Sequence, residues 1–377
     1  MLRTSWGEGM RRGRQLFALA ERQRQRGAFA EALEHYREAQ RVFARERDER
    51  GLMECALAQG HCLRLLGRFR QARRAYQRAA RLAQALGEDV SAADALMGEG
   101  MAVRAVGELT EALRLFREAE RVYRMIGDDF GRAYLLWARG GTFRLSGDLR
   151  AAYQSFRDAW RWYERAGDRV GAAYALCGLG GVSRVMGRYA ASFEFYTEAN
   201  DRFRRLRDTF GRAYSFCGIA NAHRMRGEYE RALEFFERAT ALYRTIGDEV
   251  SYAYTLWGEA TAYKMLGHYE RARVDFREAD RLFRKTRDMR GRIYVWLGEG
   301  ELHLLHGAPG RAERYFRMAL KTARQFGFRL EELHAHLLLR LLRRENGQRV
   351  SFDPLIRRYR ALGTTFLRAP SLPLNLP

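Results

Sequence analysis

The side chains best able to do chemistry in this sequence are basic and evenly spaced. Arginine stands at Arg24, Arg64, Arg104, Arg144, Arg184 and Arg224, and lysine at Lys264, one every 40 residues. A guanidinium offers two parallel N–H donors to a carboxylate or phosphate, so such a row is suited to a repeating anionic ligand. A second row is aromatic: Tyr134, Tyr174, Tyr214, Tyr254 and Tyr294, preceded in register by Glu54 and Asp94. Tyr134, Tyr174 and Tyr214 each precede an arginine, and Tyr254 precedes Lys264, by 10 residues, nearly three helical turns, which places both rows on one stripe of a helix. Flat rings give contact area at low entropic cost. Each row also has a plainer reading, in which arginine solvates a helix end and tyrosine packs between neighbouring elements.

Other chemistry is thin. No phosphate-cradling glycine loop followed by Lys-Ser/Thr occurs, and Gly178-Leu179-Gly180-Gly181 matches a dinucleotide fingerprint only in part. His334-x-His336 and the pair His303 and His306 lack carboxylate or cysteine partners at metal spacing. Glu99, Glu259 and Glu299 lie among small residues and are expected to pair with arginines of adjacent helices rather than to serve a nucleophile. No catalytic residue, metal or cofactor is expected.

What positions these rows is a repeat. Glycine recurs at Gly27, Gly67, Gly107, Gly147, Gly187, Gly227, Gly267, Gly307 and Gly347, and alanine follows twelve residues after each of the first eight, from Ala39 to Ala319. A fixed period of this length marks a solenoid. Between the glycines the apolar residues follow three-and-four spacing, as at Phe29, Ala32, Leu33, Tyr36, Ala39, Val42 and Phe43, which predicts an amphipathic helix from about Phe29 to Glu46. Gly-Asp pairs such as Gly127-Asp128, Gly167-Asp168 and Gly247-Asp248 end one helix and cap the next. Each unit therefore holds two helices. Residues 1–7 read as a frayed start, residues 8–347 as eight units with a closing helix near Leu330–Asn346, and residues 348–377 as a short helix (about Asp353–Leu362) and an extended, mobile tail. All five prolines fall from Pro309 onward, so no interdomain linker interrupts the earlier array. Glycines at Gly98, Gly178, Gly218, Gly258 and Gly298 lie inside helices, where each costs about 1 kcal/mol. They indicate close approach to the backbone, by a packed helix or by a ligand.

Composition sets the outer bounds. A net charge of +22, with lysine only at Lys264, Lys285 and Lys321 and arginine supplying the rest, points to anionic partners or to arginine-favouring codon bias. No apolar run of membrane length is present, and Cys55, Cys62, Cys177 and Cys217 show neither metal spacing nor easy disulfide geometry. A reducing, cytoplasmic setting is the expectation.

The columns resemble a known family. In one unit Gly187 and Tyr189, the small Ser192, the aromatic Tyr196 and Ala199, with Gly180 seven positions ahead of Gly187, match the signature of tetratricopeptide repeats in a long, 40-residue form. The resemblance departs at the column before the first-helix glycine. Where the family carries leucine, this chain has Gln59, Glu99, Arg139, Leu179, Ile219, Glu259 and Glu299.

The resemblance implies an all-α, right-handed superhelical solenoid whose first helices line a concave, peptide-binding groove without catalysis. Its groove positions, carried over column by column, fall on Arg64, Arg104, Arg144, Arg184, Arg224 and Lys264, on Tyr134, Tyr174, Tyr214 and Tyr254, on Trp137 and Trp257, and on Asn221. The expected function is a protein-interaction scaffold that holds an acidic segment of another protein. The alternatives are nucleic-acid binding, favoured by charge interleaved with aromatic residues, and a ligand-sensing regulator.

Overall fold

The computed structural model describes residues 2–367 and 370–377. Among these, helices account for the regular structure: α1 (Leu2–Gln25), α2 (Phe29–Arg45), α3 (Glu49–Leu65), α4 (Phe69–Leu86), α5 (Asp89–Ala105), α6 (Leu109–Met125), α7 (Asp129–Ser146), α8 (Leu149–Ala166), α9 (Arg169–Val185), α10 (Tyr189–Leu206), α11 (Thr209–Met225), α12 (Tyr229–Ile246), α13 (Glu249–Met265), α14 (Tyr269–Thr286), α15 (Met289–Leu305), α16 (Pro309–Phe326), α17 (Arg329–Glu345) and α18 (Asp353–Ala361). The expected boundaries hold to within a residue or two except at the start, where α1 already begins at Leu2 rather than near Glu8.

The turns follow the chemistry of their residues. Every repeating glycine from Gly27 to Gly347 has positive φ and ends an odd-numbered helix. At the other turn the aspartates Asp48, Asp168, Asp208 and Asp288 accept from the backbone N–H three residues on, and Asp248 from two successive N–H groups, as N-caps do. Three units lack a glycine before this aspartate, and there Arg47, Arg207 and Arg287 take φ of 57, 56 and 57°. The left-handed region costs an L-residue about 1 kcal/mol. Arg207→Gly should therefore stabilise the protein by roughly 0.5–1 kcal/mol, read as a higher denaturant midpoint. An unchanged or lower midpoint would mean that the Arg207 side chain stabilises the turn by more than its backbone strain costs.

Both glycine columns have one cause. From Tyr76 onward the second-helix ring of each unit packs against glycine on one or both of the flanking first helices, and the glycine makes the room. A Cβ on Gly60 or Gly98 would meet the Tyr76 ring at 2.7 or 2.2 Å, and one on Gly140 or Gly178 the Phe156 ring at 2.9 or 2.3 Å. Likewise Gly180 and Gly218 bracket Tyr196, at 2.7 and 2.2 Å. The in-helix glycines thus serve packing; the alternative, a ligand lying on the backbone, has no part in these contacts.

The helix contacts group the chain into two units, Met1–Leu135 and Leu136–Pro377, divided inside α7 and without a linker. In the second unit the first helices α9, α11, α13, α15 and α17 touch in succession. There the repeat Gly147 approaches Arg329, at the start of α17, and Leu362, just past α18, within 3.2–3.5 Å of its ideal Cβ. The last helices of this unit are therefore brought back against its first turn.

The tail expected to be mobile is held. Thr364 Oγ1 donates to Val185 O (2.5 Å), the Thr365 N–H donates to Met186 O (3.2 Å), and Arg344 Nη1 donates to Pro370 O (2.9 Å). Leu374, Leu376 and Pro377 are buried. The extended conformation was legible in the prolines. The anchoring was not, because Val185 and Met186 lie 179 residues before the threonines they hold.

Candidate functional site

The basic row occupies the last turn of the first helices, where a cation also complements the helix dipole. Beyond that shared position its members diverge. In the first unit Arg64 is half-buried and bears on the phenols of Tyr76 and Tyr134, while Tyr134 itself is exposed. Arg104 is half-buried. The acids in register with the tyrosines are engaged internally: Asp94 accepts from Tyr123 (2.7 Å), and Glu54 pairs with Arg14.

The second unit builds a site. Arg224 is wholly buried. Its Nε and Nη2 donate to Asn221 Oδ1 (3.2 and 3.0 Å), Nη2 also donates to Leu376 O (3.0 Å), and Nη1 donates to Asn375 Oδ1. Asn221 is fixed in turn by donating to Cys217 O (2.9 Å), and the guanidinium lies 5.2 Å from the centre of the Trp257 ring. Lys264, also buried, pairs with Glu301 and donates to Leu374 O (2.8 Å). Burial pushes Lys264 below and Glu301 above their usual ranges, against their mutual attraction. Burial, reinforced by the like charge of Arg184, brings Arg224 down to about 9. Arg184 is half-buried, and its Nε and Nη1 have no protein acceptor. Its charge is felt at Tyr214 on α11 and at Tyr294 on α15, and that of Arg144 at Tyr196 and Tyr214. Arg144, Arg184, Arg224 and Lys264 thus stand in the last turns of successive first helices of this unit, with Arg184 close enough to act on Arg224.

The tyrosine row does a different job. Tyr174 OH donates to the helix-capping Asp208 (2.9 Å), Tyr254 bonds Asp288, and Tyr294 OH donates to Glu331 (3.0 Å). The rings of Tyr174 and Tyr254 lie 4.8 Å from Phe203 and Phe283. These are struts between successive repeats, which was the plainer of the two sequence readings. Tyr214 stacks with Phe210 (6.5 Å), and Trp137 Nε1 donates to Tyr174 O (3.3 Å). Trp257 packs on Tyr294 as well as facing Arg224. Glu301 stands in the same column as Asn221, which the sequence already places with the groove positions; residues 374–376 were missed as partners of the site, because the tail contacts have no local signature.

Of the three acids, Glu99 does pair with arginine, Arg73 (3.1 Å), while Glu299 feels Arg277 and Arg273 but leaves Oε1 without a hydrogen bond. Glu259 departs from the expectation. Burial and then the adjacent Asp275 carboxylate raise it to about 7, with Arg244 opposing and Glu237 adding, and burial raises Asp275 to about 6. A raised carboxyl holds its proton better in the folded chain. Stability is therefore fullest below the unfolded value near 4.5 and falls as pH rises toward 7. Glu259→Gln should leave melting at pH 4 nearly unchanged and raise stability at pH 8 by about 1 kcal/mol, a few degrees. Equal shifts at both pH values would exclude this cause.

Four cysteines, Cys55, Cys62, Cys177 and Cys217, are free thiols. Among the described residues no group of three His, Cys, Asp or Glu is placed to hold a metal, and no helix is long and apolar enough to cross a membrane.

Stacked helix pairs with aromatic wedges between them define an all-α helical-repeat protein. Tetratricopeptide repeat models match residues 57–124, 171–245 and 211–285. Over these residues the chain carries tetratricopeptide repeats. No curated protein matches it in sequence. Among solved structures it is similar to the Rap conjugation gene regulator of the plasmid pLS20 in complex with the Phr* peptide (12% identity, 94% of this chain and 95% of that one, TM-score 0.63). It is also similar to NprR in complex with its cognate peptide NprX (15%, 84% and 89%, 0.59). A third is aspartyl phosphate phosphatase F from Bacillus subtilis (13%, 96% and 97%, 0.55). At such identities the likeness is one of fold.

Proposed function

We propose that this protein is a non-enzymatic, peptide-binding scaffold whose channel in residues 136–377 takes an extended segment of a partner protein, with carboxylates of that segment on Arg144, Arg184 and Arg224. What supports the reading is an extended stretch of polypeptide that already lies against Lys264 and Arg224. Residues 374–376 have carbonyls on these two cations and their leucines buried. Main-chain bonds with alternating side-chain pockets are a general mode of peptide recognition. Two of the similar structures are complexes with peptides, which supports the same reading.

The test is capture from native lysate, with and without nuclease, compared between the natural chain and Arg144→Glu/Arg184→Glu. These half-buried positions tolerate reversal better than Arg224 would. A discrete protein that survives nuclease and is lost in the variant supports the channel; identical capture by the variant removes it.

Nucleic-acid binding is a second reading with its own observation. A cleft of about 740 Å³ between α14, α15 and α16 gathers Arg273, Arg277, Arg281 and Arg311 around Trp296 and Tyr315. Part of that charge is already spent, since Arg281 pairs with Glu278 and Arg284 with Asp280. A linear fall of log affinity with log salt for single-stranded oligonucleotides would favour it.

A further inference from the structure

The channel's resident segment is poorly matched to it in charge. Arg224 is buried with neutral partners throughout: the amide of Asn221, the amide of Asn375 and the Leu376 carbonyl. After burial, the largest influences on its charge are Arg184, Tyr229, Tyr189 and Cys217, none of them a carboxylate. A buried guanidinium is ordinarily compensated by an acid, and its hydrogen bonds to a carboxylate are about twice as strong as those to neutral acceptors. Arg184, close enough to disfavour the charge on Arg224, leaves two of its own donor atoms unused.

In every other respect the segment is fitted. Leu374 and Leu376 are 6% and 5% exposed. The Leu374 N–H donates to Glu301 while its carbonyl accepts from Lys264, and Asn375 Nδ2 donates to Arg224 O (2.7 Å). The preceding anchor is separate, since Thr364 and Thr365 bond the carbonyls of Val185 and Met186 at the end of α9. Residues 370–377 can therefore leave the channel, giving up the Arg344–Pro370 bond as well, with α18 and its following turn still in place.

We propose that residues 370–377 are a tethered resident ligand of this channel, displaced by a partner segment that presents an aspartate or glutamate carboxylate to Arg224 where the chain itself presents the Asn375 carboxamide. The proposal rests on the reading of the channel as a peptide site and adds its ligand chemistry and its control. Tethering gives the resident a high effective concentration, so a weak match suffices to keep the channel closed. The carboxylate supplies the partner's advantage.

Two acetylated, fluorescent peptides test it: Pro-Ser-Leu-Pro-Leu-Asn-Leu-Pro, copied from residues 370–377, and the same peptide with aspartate in place of the asparagine. Binding is measured to the intact chain and to an opened variant, Leu374→Gly/Asn375→Gly/Leu376→Gly. The aspartate probe should bind the opened variant about tenfold or more tighter than the asparagine probe, and Arg224→Met in that background should level the two. The intact chain should bind both probes at least about tenfold more weakly. Equal affinity of intact and opened chains for the aspartate probe overturns the resident-ligand proposal and leaves the peptide site standing. No binding of either probe to a folded opened variant overturns both.

Should the opened variant fail to fold, the intact chain still answers. Asn375→Asp should raise its melting temperature and weaken the aspartate probe by about a further tenfold; a lower melting temperature or tighter probe binding overturns the proposal. Hydrogen exchange at the Leu374 amide should accelerate when the aspartate probe saturates the natural chain. Protection that persists with the probe bound shows the segment to be part of the fold and not a ligand.

Discussion

Replacing Lys264 with methionine should destabilise the second unit by about 3–5 kcal/mol, because it strands the Glu301 carboxylate in the interior. The side chains of Lys264 and Glu301 are 3% and 1% exposed. Neither charge has water to fall back on. The substitution also removes the donor to Leu374 O, so the 374–376 segment loses one of its main-chain bonds. Thermal unfolding should shift down by roughly 10 °C, and the Leu374 amide should exchange faster than amides of α9. Adding Glu301→Gln should recover most of the loss. A neutral amide is far less costly to bury, and its oxygen still accepts from the Leu374 N–H. A single variant that melts like the natural chain would mean that Glu301 takes up a proton or reaches solvent, and that the pair does not hold the segment.

Alanine at Gly218 is the second large effect, expected to cost about 2–3 kcal/mol. Intrinsic propensity alone would favour alanine by about 1 kcal/mol. Packing reverses the sign: the new Cβ would lie 2.2 Å from the Tyr196 ring, which Gly180 already backs at 2.7 Å from the other side. The ring can retreat from neither, and overpacking of this kind costs 1–3 kcal/mol or more. Gly310→Ala, on α16 with nothing within 4 Å of its Cβ, is the control and should be neutral or stabilising by up to about 1 kcal/mol. If both substitutions raised the denaturant midpoint alike, the aromatic wedge would not be the reason for the glycine column.

Much of the architecture was legible because it is local and repeated. The Gly-Asp turns depend on the φ of one residue and on a carboxylate reaching an N–H three positions on, and both can be read from residue type. The amphipathic spacing around Ala39 and its equivalents sets which face is buried. The basic row was legible as a row. Its differentiation was not: Arg64 rests beside two tyrosines, whereas Arg224 and Lys264 are sealed beneath a segment more than a hundred residues further along the chain. The tyrosines were ambiguous for a related reason. A ring at helical spacing can face a ligand or a neighbouring helix, and only the positions of Asp208, Asp288 and Glu331 identify these as struts.

By itself, then, the sequence determined the 40-residue unit, the helix pair within it and the tetratricopeptide character, because each follows from contacts within one repeat or between adjacent ones. Only the tertiary structure decided that the last helices return to Gly147 and that residues 374–376 lie against Lys264 and Arg224. Small rotations per repeat accumulate along the array, and where their sum brings the end of the chain is written in no single repeat.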